Sequence, residues 1–117
     1  LKKIAYAGLG FVATAVAIAI VVTQRASWWP FVVFAMAPDL ALLYGMSGGL
    51  ARGQLHPRAV PFYNAVHRHW APGLLVCLTY LLHSPEWVAG GLAWTAHISF
   101  DRSLGFGLRT REGFQRS

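Results

Sequence analysis

The stretch IAYAGLGFVATAVAIAIVVT, Ile4–Thr23, contains no charged residue. About 20 such residues span the hydrocarbon core of a bilayer. Lys2 and Lys3 precede it, as cations precede a secretory signal, but the apolar part is longer than a usual signal core and further apolar runs follow. We therefore read it as a retained transmembrane helix. The chain opens on Leu1 rather than Met, so some native sequence is expected before it.

Composition supports the same reading. The 117 residues are 56% hydrophobic and 12% charged, about half the charge of an ordinary soluble domain. A single small domain lacks the interior to bury so much apolar surface. A net charge of +6 and a pI near 10.3 raise the question of nucleic acid. The cations lie at segment ends instead of clustering with aromatics along one face, so no nucleic-acid partner is expected. Cys77, alone in an apolar stretch, is expected to be filler.

Three more runs follow the first. Residues 28–46 are apolar apart from Asp39, with Pro38 in their middle; a kinking proline is tolerated in a membrane when neighbours satisfy the freed backbone groups. Residues 61–82 begin polar and aromatic, PFYNAVHRHWAPG, and end apolar, with a kink expected at Pro72. Residues 86–104 follow a short HSP turn, and Gly105 and Gly107 read as a helix stop before a basic tail. The expected architecture is all-α: one four-helix transmembrane domain over residues 1–117, with spans at 4–23, 28–46, 61–82 and 86–104. Lys2, Lys3, Arg52, Arg58, Arg109, Arg111 and Arg116 then share one side, with Arg25 alone on the other. The positive-inside rule places both termini in the cytoplasm, with Trp28, Trp29 and Trp87 at the outer interface.

This topology sets depths. At 1.5 Å rise per residue, Asp39, His67 and His97 each lie roughly 9–10 Å inside the cytoplasmic boundary, with Asp101 and Asn64 one turn nearer the surface. His97 and Asp101 are i,i+4 neighbours and project together, as do Asn64 and His67. Ionised carboxylates facing lipid are costly, so Asp39 and Asp101 should point inward, and two carboxylates at one level need a cation or a shared proton between them. With two imidazoles they form a nitrogen and oxygen ligand set for a divalent metal, zinc first, with manganese or iron as alternatives. Asp39, His67, His97 and Asp101 are the candidate metal ligands and, with Arg102, the candidate catalytic residues; Tyr63, Asn64 and Arg68 are candidate supporting groups. The same residues can instead act as polar glue between helices, with Arg102 snorkelling to the headgroups. His69 reads as a headgroup contact or a further ligand, and Trp94 as packing.

Four segments carry a resemblance: APDLALLYG at Ala37–Gly45, YNAVH at Tyr63–His67, Pro72, and AHISFDRSLGFGLR at Ala96–Arg109. In them the chain resembles a bacterial integral membrane family known as domain of unknown function 4260; the first helix matches in character only. The resemblance implies a small four-helix membrane protein and no particular activity. The order Pro38-Asp39, His67-Arg68 and His97/Asp101 is similar, more distantly, to membrane-bound metal-dependent hydrolases. That resemblance implies metal-dependent hydrolysis, and the depth of the site suits a lipid-like substrate entering from the cytoplasmic leaflet. The chain departs from that pattern in lacking a histidine in the first helix, a second aspartate after Pro38, and a second histidine after the HR element unless His69 serves. Two functions stand open: a metal-dependent hydrolase of the bilayer, or a non-enzymatic membrane protein, homo-oligomeric if it conducts, that relays metal ions or protons or assembles with partners.

Overall fold

The long apolar run folds as helix α1, Lys2–Thr23, in the computed structural model, which describes residues 1–116. The remaining elements are α2 (Trp29–Met36), a 3₁₀ turn (Ala37–Asp39), α3 (Leu40–Tyr44), a 3₁₀ turn (Pro57–Ala59), α4 (Val60–Val66), α5 (Trp70–Leu81) and α6 (Pro85–Ser103). The fold is all-helical, with no strand among the described residues beyond an isolated bridge between Arg109 and Gln115. Among the described helices, α1 is the one long and apolar enough to cross a membrane.

Helix α6 is the hub, packing against α1, α2 and α5. Its buried face is built from small residues, including Ala89, Gly90, Gly91, Ala93 and Ala96, which let neighbouring backbones come close. A Cβ on Gly90 would lie 3.1 Å from the Pro30 carbonyl oxygen, and one on Gly91 2.6 Å from a Val76 methyl. Helix α1 answers with its own small stripe, Gly10, Ala13, Ala17 and Val21, spaced to recur on one helical face. Its other faces leave Phe11, Val12, Val16 and Val22 exposed.

Two of the four expected spans are continuous and two are broken. The expected helices at 4–23 and 86–104 correspond to α1 and α6. The expected helix at 28–46 is interrupted by the 3₁₀ turn. Pro38 has no N–H to continue the α-helical ladder. The expected helix at 61–82 ends at Val66 and restarts at Trp70. The cause lies downstream: the Pro72 ring opposes the carbonyl four residues earlier, at Arg68, so the chain cannot run helically through that position.

Side chains of α6 satisfy carbonyls at both breaks. Trp94 Nε1 donates to the Val66 carbonyl (2.7 Å), and Arg102 donates to that of His67 (3.2 Å). His97 Nδ1 donates to that of Ala35, just before the 3₁₀ turn (2.8 Å). Beyond α6, Gly105 takes a φ of +92° and ends the helix. The basic tail is not loose: it folds back on the 47–56 connector, where Leu55 N–H donates to the Gly113 carbonyl and Gln54 to that of Glu112.

Candidate metal centre

Each break delivers one polar side chain to the hub helix. Asp39 closes the 3₁₀ turn, and His67 is the residue on which α4 ends. Had either helix continued, its residues would advance differently: three residues turn about 360° in a 3₁₀ helix and about 300° in an α-helix. His97 and Asp101 need no such device, being one turn apart on unbroken α6.

The four side chains converge. His97 Nε2 lies 3.1 Å from Asp39 Oδ1 and 3.3 Å from Asp101 Oδ2; His67 Nε2 lies 3.4 Å and 3.5 Å from the same two oxygens. All four donor atoms fall within 4.8 Å of one another. Nitrogen and oxygen therefore alternate around a closed ring. The middle of such a ring is about 2.0–2.4 Å from every donor, the range of bonds from nitrogen and oxygen to divalent ions. The cluster can hold a metal ion.

The ring orientations fit that capacity. His67 Nδ1 is 2.8 Å from the Tyr63 carbonyl, and His97 Nδ1 is 2.8 Å from the Ala35 carbonyl. A carbonyl only accepts, so each Nδ1 carries a hydrogen, and in the neutral rings each Nε2 presents a lone pair. Metal-bound histidines are commonly oriented by such a second bond. His67 is 2% exposed, and its Nε2 has no hydrogen-bond partner among the described residues. A buried polar atom without a partner is costly, and this one faces two carboxylate oxygens. The Tyr63 ring, also buried, stacks on the His67 ring with centroids 3.9 Å apart. The two histidine side chains are 2% and 11% exposed, Asp101 26% and Asp39 49%, so the cluster opens on the Asp39 side.

The other expected site residues lie elsewhere. Arg102 was expected beside the catalytic cluster. Its guanidinium is instead engaged with the His67 carbonyl, and the residue lines a separate cavity with Lys2 and Lys3. The reason is helical direction: one residue past Asp101 is about 100° around α6. Asn64 does not touch the cluster either; its amide pairs with the Arg109 backbone through two bonds, 2.7 Å and 3.0 Å, and pins the tail to α4. Arg68 is exposed. His69 bonds Ser99 Oγ at 3.0 Å and stacks on Tyr6, outside the cluster. Tyr63 supports the site directly, through its carbonyl and its ring. The orienting roles of the Ala35 and Tyr63 carbonyls, and the donor role of Trp94, had no sequence signal, because any residue type supplies a carbonyl.

A family model described as domain of unknown function (DUF4260) matches residues 7–117. No curated protein and no solved structure matches the chain.

Proposed function

The chain belongs to the DUF4260 family, whose description carries no activity, and from its own side chains we propose a membrane-embedded protein that holds one divalent metal ion for hydrolysis of a membrane-associated substrate. The observation that carries this is the unpartnered, buried Nε2 of His67, aimed with that of His97 at two carboxylate oxygens. Lone pairs facing carboxylates call for a cation, and distances of 3.4–3.5 Å around His67 are too long for direct hydrogen bonds. Two imidazoles and two carboxylates favour zinc, with manganese and iron next.

The membrane reading is supported by an inversion. The longest apolar helix, α1, is mostly exposed, while the polar-bearing α6 is the hub. Large apolar side chains are exposed on α2, α3 and α5 too, among them Val32, Leu43, Leu78 and Leu81. A bilayer accommodates that surface, with the runs α1, α2–α3, α4–α5 and α6 as a four-helix bundle and both termini cytoplasmic. Trp29 and Trp87 meet edge to face, 5.2 Å apart, at the expected outer end.

Asp39, His67, His97 and Asp101 would hold the ion, which would supply a water of near-neutral pKa and polarise a substrate oxygen. Asp39, the most exposed of the four, is the one placed to act as general base. A second reading keeps the residues and replaces the ion with shared protons, which the 3.1 Å contact of His97 with Asp39 would suit. Elemental analysis of detergent-purified protein decides between them. About one metal per chain, lost in His97→Ala, followed by turnover of phosphoester, ester or amide lipids, is the expected result. Metal-free protein whose fold survives substitution of all four residues would overturn the metal reading.

A further inference from the structure

A cavity of about 430 Å³, apart from the His/Asp cluster, lies beside the end of α6. Lys2, Lys3, Arg102 and Arg116 line it together with Tyr6 and the 105–108 turn. These cations come from three separate segments: the start of α1, the end of α6 and the folded-back tail. The tail reaches the cavity because Arg116 N–H donates to the Leu108 carbonyl (3.0 Å) and Gln115 accepts from Gly107 N–H (3.0 Å). Lys3 lies against the turn, where a Cβ on Gly105 would be 3.5 Å from Nζ.

No acidic residue lines this cavity. The chain has four. Asp39 and Asp101 belong to the His/Asp cluster, Glu86 accepts from Ser84 at the opposite end of α6, and Glu112 sits on the tail hairpin. Among the described residues, every ion pair lies within the His/Asp cluster. Among the described residues, four cations thus line one hollow with no acidic side chain beside them, a charge balance that favours an anion. Arginine forks match the oxygens of a phosphate group, and lysines add point charge. Phe106 and Leu108 give the same hollow an apolar wall, so it offers both a charged end and a greasy side.

We propose that this cavity is a phosphate-binding site. Basic pockets between helices at the cytoplasmic face are a recurring form of anionic headgroup recognition. The phosphate can come from a phospholipid headgroup or from free phosphate. The headgroup source rests on the membrane reading given above; the site itself rests on neither the ion nor the bilayer.

The test is native mass spectrometry and titration of the full chain in detergent with three probes: phosphatidylglycerol, phosphatidylcholine and inorganic phosphate. Phosphatidylglycerol should bind at least roughly tenfold tighter than phosphatidylcholine, whose phosphate is internally neutralised. The Lys3→Gln/Arg116→Gln variant should lose about tenfold or more of that affinity. Added salt should weaken wild-type binding steeply. Binding of inorganic phosphate that the double variant loses, without preference between the lipids, would assign the same site to the free ion. Equal binding of all probes by wild type and variant, or salt-independent binding, would overturn the proposal. Helicity and a thermal unfolding midpoint at the wild-type level in the double variant report an intact fold. The salt series on wild-type protein decides the matter if that variant does not fold.

Discussion

Helices α1 and α6 are the two long, unbroken helices of the molecule, and they invert the rule of soluble proteins. Helix α1 is apolar on every face, yet only its stripe of small residues is covered. Helix α6 carries Glu86, His97, Asp101 and Arg102, yet it is covered by three neighbours. In water the apolar helix would be inside. The difference teaches that polarity here is used within the molecule, to close broken backbones and to gather a His/Asp cluster that can hold a metal ion, while large apolar side chains lie exposed.

The comparison can be broken first at its polar end. His67→Ala should abolish stoichiometric metal, since it removes one of four donors and opens a hollow beside Tyr63; retention of one ion per chain would separate the histidine from the cluster's function. At the apolar end, Val12→Lys puts a charge on the exposed side of α1. If that side faces lipid, the cost should be about 2.5–3.5 kcal/mol, seen as reduced membrane insertion and greater extraction by alkaline carbonate. If that side faces water, insertion and thermal stability should not change. The seam of α6 comes next. Gly91→Leu must displace Val76 and should lower stability by about 1–3 kcal/mol, read from thermal unfolding in detergent. An unaffected midpoint would mean α5 and α6 are less closely packed than described. The smallest effect should come from His69→Ala, which loses a bond to Ser99 and a stack on Tyr6. Its metal content should stay at the wild-type level, with about 1 kcal/mol lost in stability. A metal loss equal to that of His67→Ala would show that the two histidines of the HRH segment act together.

Much of the site was legible before the fold. The four cluster residues could be chosen because ionisable groups in apolar runs are few, and because His97 and Asp101 share a helix face by spacing alone. Asp39 and His67 could be matched in level, since rise per residue is constant within a helix. Their approach could not be read, because it depends on two interruptions. Pro38 was visible and its kink expected, but a kink does not tell which way Asp39 points. The kink expected at Pro72 falls instead near His67, because a proline ring acts on a carbonyl four positions upstream. Arg102 was open to two readings, a catalytic group or a snorkelling cation, and its sequence neighbour Asp101 could not choose between them, since neighbouring residues on a helix point to different sides.

The sequence by itself determined the helical class, the two unbroken helices and the identity of the convergent His/Asp residues, because periodicity and charge scarcity are local properties of a chain. Only the tertiary structure decided how the breaks are stitched. Trp94, His97 and Arg102 reach from α6 to backbone carbonyls at the breaks. Such bonds join residues far apart in the chain, and their acceptors carry no side-chain signature. The same holds for the basic cavity: Lys2, Lys3 and Arg116 were counted from the sequence as marks of one membrane side, and only the folding back of the tail brought Arg116 to the hollow they line with Arg102.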